Sequence, residues 1–266
     1  MANGKVYLLG AGPGDPGLLT VEATRLLQAA DVVFYDDLVS TEVLSLIPEH
    51  VYVENVGKRC GHPGVGQQQI HALMINAARE GWQVVRLKSG DPLIFGRAGE
   101  EIEALREAGI EYQIMPGITA AFGAAARAGI ALTDRRLASK LIFLSNHQCA
   151  GKNLFDWKGA LTADTTAVIY MPGADYSGLA ERLCGEGLDL QTPCVIVSRA
   201  TTAQQEVHFA RLGALAKAPR CAAPVVMIVG AVARHFVTGS GQHQEMADDL
   251  CAMELELTEP VELVGD

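Results

Sequence analysis

Short apolar runs alternate along the chain with longer stretches whose apolar residues recur every three to four positions. The short runs, bounded by Gly, Pro and Asp, predict strands. The periodic stretches predict amphipathic helices. KVYLLG at 5–10 predicts the first strand and LLTVEATRLLQAA at 18–30 the first helix. DVVFYD at 31–36 is the next strand, and QQQIHALMINAAREG at 67–81 is a helix closed by Gly81. WQVVRLKSGDP at 82–92 runs from strand into turn, and AGEEIEALREAG at 98–109 is a third helix with glycine at its C-terminal cap. EYQIMPG at 111–117 ends the first unit, and an alanine-rich helix, ITAAFGAAARAG, follows at 118–129.

Past that helix the texture changes. KLIFLSN, TAVIYMPG, PCVIVSRATT, QEVHFARL and PVVMIVG read as strands with fewer helices between them. PCVIVSRATT and QEVHFARL lie close enough for a hairpin, so this sheet is expected to be mixed rather than purely parallel. The fold class is α/β: an N-terminal domain at 1–115 with a mostly parallel sheet, a C-terminal α/β domain at 116–238 with a mixed sheet, and a tail at 239–266.

Composition narrows the function. At 266 residues and 49% hydrophobic, the chain can bury two modest cores. No apolar run is long enough to span a membrane, and MANGKVYLLG lacks the features of a signal peptide, so a cytoplasmic protein without a membrane partner is expected. The six cysteines, at 60, 149, 184, 194, 221 and 251, show no C-x-x-C spacing, and no metal site is expected. His147, in a polar loop after a predicted strand, is the one histidine of interest. The net charge is −10, but eight acidic residues follow His243 without a basic one, and the remainder carries only −2. That tail is expected to be poorly ordered. The sign of the charge excludes nucleic acid as a partner, and an anionic substrate would need a local basic patch.

GPGDPG at 12–17 spells G-x-G-x-x-G after the first strand. A dinucleotide loop of that form needs backbone N–H groups for the pyrophosphate. Pro13 and Pro16 each remove one, and Asp15 adds a negative charge beside them. The stretch reads instead as a rigid turn lining a pocket for another kind of ligand. Further turns end the other predicted strands: YDD at 35–37, VGKR at 56–59, KSGDPLIFGRAGEE at 88–101 and PGITAA at 116–121. They fall where an open α/β sheet presents its ligand edge, with Lys58, Lys88 and Arg97 among them.

GAGPGDPGLLT, YDDLVS, VGKR, RLKSGDPLIFGRAGEE and PGITAA, followed by AGIALTDRR, YMPG, SRATT and APVVMIVG, resemble the tetrapyrrole (corrin/porphyrin) methylases in order and spacing. The resemblance runs from about residue 4 to 235. It implies a homodimer of two-domain α/β subunits with S-adenosylmethionine in the cleft between the domains. The expected reaction is methylation of uroporphyrinogen III at carbons 2 and 7, giving precorrin-2 for sirohaem, haem d1 or cobalamin synthesis. The donor would lie against Pro13, Ser89, Gly90, Asp91, Ile94, Thr119, Ala120, Met171 and Ala200. The family pattern makes Asp36 the proton acceptor and Lys58 the proton donor, and assigns Arg97 and Glu100 to substrate binding or deprotonation. An arginine remains protonated, so Arg97 suits the orientation of substrate carboxylates and Asp36 the handling of the proton. Arg59, Arg135 and Arg136 would add positive charge for a polycarboxylate substrate, and Asp91 would face the positive charge of the donor. Ser89 stands where the family usually has glycine, so that turn must accept a Cβ.

Other readings stay open on sequence grounds. One is a methylase acting on precorrin-2 or precorrin-4. Another is a nicotinamide-dependent oxidoreductase, resting on GPGDPG alone. A third is a relative that binds ligand without catalysis.

Overall fold

The structure is a computed structural model and describes residues 4–57, 65–146 and 157–235. Lys58, Arg59, His147 and the acidic tail lie outside the described residues.

Five strands form the first sheet: β1 (Lys5–Gly10), β2 (Val32–Tyr35), β3 (Tyr52–Asn55), β4 (Gln83–Lys88) and β5 (Glu111–Met115), in the order β3-β2-β4-β1-β5. Every pairing in it is parallel. The connecting helices include α1 (Val21–Ala29), the short α2 (Thr41–Leu44), α3 (Gln67–Arg79) and α4 (Ala98–Glu107). Thr20 and Ser40 cap α1 and α2 by accepting from the N–H of Ala23 and Val43. One face of the sheet, with Val6, Leu8, Val32, Phe34 and Val84, packs with Ile70, Met74 and Leu105 of α3 and α4. The other, with Leu9, Val33, Val85 and Leu87, packs on Ala23, Leu27 and Val43 of α1 and α2. Burial on both faces explains why β1 and β2 read as near-continuous apolar runs.

Helix α5 (Ala120–Ala128) ends at Gly129, whose φ of 67° supplies the left-handed cap. Its alanines pack on the second sheet, against Val168, Val195, Val197 and Val226. That sheet contains β6 (Lys140–Ser145), β7 (Thr165–Tyr170), β8 (Pro193–Ser198), β9 (Glu206–Arg211) and β10 (Val225–Val229), in the order β6-β7-β10-β8-β9. Only β6 and β7 run parallel. The other pairings are antiparallel, including the β8–β9 hairpin. The opposite face carries α6 (Tyr176–Gly185), which the hydrophobic pattern does not reveal. An internal glycine, Gly178, and a length of 10 residues obscure its period, and the packing of Tyr176, Leu179 and Leu183 under the sheet supplies what propensity does not.

Candidate functional site

In a parallel sheet all strands end at one edge, and the turns after β1, β4 and β5 meet there. Gly12 and Gly90 exchange both backbone hydrogen bonds, at 3.1 and 2.7 Å, while Ala11 N donates to Lys88 O at 2.7 Å. A Cβ on Gly10 would sit 2.6 Å from the Gly117 Cα, and one on Gly117 would sit 2.3 Å from the Gly90 carbonyl oxygen. Only glycine permits that approach. Asp91 braces the same turns: Oδ1 accepts from Leu93 N at 2.8 Å and Oδ2 from Gly117 N at 3.0 Å. Both Asp91 oxygens thus accept within the protein, which fixes its negative charge at the edge where the donor is expected. The left-handed residue of the turn is Gly90, with φ of 69°, and Ser89 is not among the residues with positive φ. The serine therefore introduces no backbone strain.

The GPGD turn joins the two sheets. Asp15 N donates to Thr201 Oγ1 at 3.0 Å, and Arg127 of α5 pairs with Asp15 at 2.8 Å. Ser40 Oγ donates to Gly14 O at 2.6 Å. A Cβ on Gly123 would lie 2.6 Å from Pro13 Cγ and 3.1 Å from Thr201 Cγ2, so glycine in α5 admits the proline. The N–H groups of Gly12, Asp15, Gly17 and Leu18 all donate within the protein. With two prolines beside them, this is not a phosphate cradle.

Tyr170 closes the opposite wall. Its hydroxyl lies 2.5 Å from Thr119 Oγ1 and accepts from Ala121 N at 3.1 Å, tying the end of β7 to the start of α5. Burial raises its pKa above the ordinary phenol value, so the proton stays on at neutral pH. Phe95 packs 5.0 Å from the Tyr170 ring, Phe143 lies 5.8 Å from it, and Phe122 lies 6.0 Å from Phe143. Phe95, Phe122, Met171 and Leu93 are all exposed, which is unusual for large apolar side chains gathered together and fits a wall for an extended hydrophobic ligand. Replacing Tyr170 with Phe strands Thr119 and Ala121. A loss of about 1–3 kcal/mol in a urea melt is expected, and an unchanged midpoint would show that the hydroxyl holds nothing.

The non-glycine residues with positive φ are Phe95, Arg97, Met171, Arg199 and Thr201, at 54°, 56°, 50°, 47° and 69°. All lie in the turns that the motifs single out. Each such residue costs about 1–3 kcal/mol and persists where surrounding structure demands it, a concentration typical of functional sites. Spacing in the sequence carries no sign of it.

The expected donor residues converge. Pro13 lies against Gly123 and Thr201, next to Ala200. Ser89, Gly90 and Asp91 meet the turn that leads into Thr119 and Ala120. Ile94 packs on the apolar cluster of the second sheet, and Met171 directly follows Tyr170.

The expected acid–base and substrate residues are arranged less uniformly. Asp36 follows β2 and accepts a hydrogen bond from Arg86 Nη2, with Lys88 Nζ 3.7 Å from its other oxygen. Arg86 and Lys88 are i, i+2 neighbours on one face of the central strand β4, and both are buried. Beneath them Glu101 of α4, fully buried, accepts from both at 3.0 Å. Arg86 and Glu101 were not singled out from the sequence. A charged pair inside a strand buried on both faces was the available signal, since a buried cation needs a partner. Arg97 and Glu100 form a two-pronged pair at 2.8 and 2.7 Å beside this group, and the Arg97 hydrogen bond holds the Glu100 carboxyl below its usual range. Arg136 is exposed, and its fork is taken by Asp134 at 3.1 and 2.9 Å, with its neighbour Arg135 also exposed. In the absence of a ligand Arg136 therefore pairs within its own turn, as Arg97 does with Glu100.

Among the described residues one set of side chains could hold a metal: Glu206, His208 and Cys221, whose ligand atoms lie within 4.8 Å of one another. Spacing alone did not reveal it. Burial and the neighbouring Glu206 raise the Cys221 pKa, which disfavours the thiolate a metal takes.

No helix among the described residues is long and apolar enough to cross a membrane. The sequence profile of the Tetrapyrrole (Corrin/Porphyrin) Methylases matches residues 5–216. The S-adenosyl-L-methionine-dependent uroporphyrinogen III methyltransferase of Arabidopsis thaliana chloroplasts is 45% identical over 234 residues, 86% of this chain and 63% of that protein. The chain spans about half the length of other curated relatives it matches, 53% and 50% in two cases. The uroporphyrinogen-III C-methyltransferase of Paracoccus denitrificans is 45% identical over 262 residues, 97% of this chain and 87% of that one. Among solved structures, uroporphyrin-III C-methyl transferase from Thermus thermophilus complexed with S-adenyl homocysteine superposes with a TM-score of 0.76, at 38% identity, covering 88% of this chain and 100% of that one. Glycine-packed turns at the sheet edge, a GPGD loop bridging two sheets and a match over most of the chain lead to one conclusion: the protein belongs to the tetrapyrrole (corrin/porphyrin) methylases.

Proposed function

We propose that the protein transfers methyl groups from S-adenosylmethionine to carbons 2 and 7 of uroporphyrinogen III, releasing precorrin-2 and S-adenosylhomocysteine. The observation that carries this reading is the convergence of Pro13, the Ser89–Asp91 turn, Ile94, Thr119–Ala120, Met171 and Ala200 on the edge between the two sheets. The Paracoccus relative, aligned over 97% of this chain, supports the substrate.

The residues present suit such a donor. The turns after β1, β4 and β5 present backbone and small side chains rather than bulk, and an exposed apolar wall stands beside them. When bound, the donor supplies an electrophilic methyl group on a sulfonium. The chain's own part is to hold a pyrrole carbon in line and keep water out, which can supply several kcal/mol of the barrier. Leu93, Phe95, Phe122 and Met171 offer the macrocycle an apolar surface. Arg97 would take a substrate carboxylate, exchanging Glu100 for it. Asp36, at 29% side-chain exposure, would take the proton that an alkylated pyrrole must lose. Lys58 would serve as the proton donor and Arg59 would add positive charge for the substrate carboxylates, as the family pattern implies. Arg135 and Arg136, both exposed, would add positive charge for the substrate carboxylates.

A homodimer is part of the proposal. Leu46, Tyr52 and Val53 are exposed apolar residues in and before the edge strand β3, a surface that a second subunit could cover. A monomer in analytical ultracentrifugation would overturn that part.

The deciding experiment is anaerobic incubation with uroporphyrinogen III and S-adenosylmethionine, followed by mass analysis of the tetrapyrroles. A gain of two methyl groups is expected. No gain, with S-adenosylhomocysteine bound tightly, would move the substrate to another tetrapyrrole.

A further inference from the structure

We infer that Glu101, which reaches neither solvent nor the cleft, is a positioning residue that holds the Asp36 carboxylate in place through Arg86 and Lys88. The inference rests on the reading of Asp36 as the group that handles a proton at this edge.

The four side chains form one connected set. Glu101 Oε1 accepts from Arg86 Nε and Lys88 Nζ at 3.0 Å each, and from Gln67 Nε2 at 3.4 Å. Arg86 Nη1 is directed at the carbonyls of Phe34 and Leu87, both at 3.3 Å, so its guanidinium cannot turn. Its Nη2 is thereby aimed at Asp36 Oδ1, while Lys88 lies 3.7 Å from Oδ2. Two cations and two carboxylates balance. Asp36 is the only one of the four that reaches solvent appreciably, and it does so at the edge where the donor residues meet.

Packing alone does not account for the arrangement. All the donors to Glu101 crowd onto Oε1, while Oε2 is buried without a hydrogen-bond partner among the described residues. A buried acceptor left in that state is unfavourable, and apolar side chains of similar volume would fill such a space at least as stably. What they could not do is balance two cations so that both face a single surface carboxylate. Glu101 also lies in the first turn of α4, directly after Arg97 and Glu100. The same carboxylate therefore ties that pair to β4, and holds both sides of the proposed substrate edge in register.

The test uses the full-length protein and three variants: Glu101→Gln, Glu101→Asp and the double change Glu101→Gln with Lys88→Gln. Glu101→Gln keeps the shape and removes one negative charge, leaving two cations against Asp36. Its kcat is expected to fall by about 10²-fold, the scale of a small misplacement at a reacting site, while its Kd for S-adenosylhomocysteine changes by less than about twofold. Glu101→Asp should recover part of the loss. The double variant restores charge balance and should be about tenfold faster than Glu101→Gln alone, an improvement that a purely structural role would not produce. A crystal structure of Glu101→Gln should show the Asp36 carboxylate displaced from Arg86. Unchanged kcat, a double variant no faster than the single one, or an unmoved Asp36 would each overturn the inference. Should the wild-type protein fail to methylate uroporphyrinogen III, the proposed function fails separately, and the position of Asp36 in the variant crystal still decides the role of Glu101.

Discussion

Asp36→Asn is expected to lower kcat on uroporphyrinogen III by about 10²–10⁴-fold, the usual weight of a positioned proton-transfer group. Binding of S-adenosylhomocysteine should change by no more than about threefold, because no expected donor residue bonds to the Asp36 side chain. Stability should fall less than in Asp36→Ala. The asparagine oxygen can still accept from Arg86 Nη2, so the buried guanidinium keeps its partner. Asp36→Ala behaves differently, since it leaves a donor of a buried cation unsatisfied, at a cost of about 1–3 kcal/mol or more. The pair of variants separates chemistry from support: both lose turnover, but alanine loses more stability. Steady-state rates, calorimetric binding of S-adenosylhomocysteine and a urea melt read all three quantities. If Asp36→Asn keeps more than a third of the wild-type kcat, the carboxylate is not the group that takes the proton.

Gly117→Ala should damage the site from the opposite direction, through the backbone. Its new Cβ would lie 2.3 Å from the Gly90 carbonyl oxygen and 2.8 Å from the Gly10 Cα, and neither is the end of a flexible side chain. The turns after β1, β4 and β5 must separate, which also stretches the 3.0 Å bond from Gly117 N to Asp91. A destabilisation of about 1–3 kcal/mol or more follows from forcing an atom into a closed contact. Affinity for S-adenosylhomocysteine should fall with it, by about tenfold or more, since a loss of about 1.4 kcal/mol in binding is already tenfold. Gly185→Ala is the control. It lies at the end of α6 with nothing within 4 Å of the new Cβ, and its φ is not positive. There alanine should be neutral or stabilising by up to about 1 kcal/mol. Equal effects at the two positions would mean that the close approach of the three turns does not matter.

Much of the fold is legible in the chain because local physics sets it. β1 and β2 are near-continuous apolar runs, the form that strands take when helices cover both faces. Glycines 81, 109 and 129 mark the ends of α3, α4 and α5, since all three adopt a positive φ that other residues resist. The mixed second sheet follows from the short link between β8 and β9. Helix α6 is less visible, because its stability comes from the sheet it packs on rather than from its own residues.

The candidate site divides along the same line. Repeated turns of Gly, Pro and Asp after successive strands, and the order of GPGDPG, SGDPLIFGRAGEE and PGITAA, already place a ligand edge and name the family it resembles. Those features are properties of short segments, and short segments are what a sequence displays. Three things needed the whole fold. Asp91 became a brace because β1 separates β4 from β5 and brings Gly117 within 3.0 Å of it. Arg136 pairs with Asp134, two residues away, a partner its charge alone does not name. Arg86, Lys88 and Glu101 became one buried group under Asp36, from residues up to 65 positions apart joined by a central strand and a helix laid across it. A charge in a sequence has no burial and no partner until distant segments pack around it. Composition and period therefore determined the layers and the edge of this protein, while tertiary packing alone decided which of its charges are buried and which hold one another.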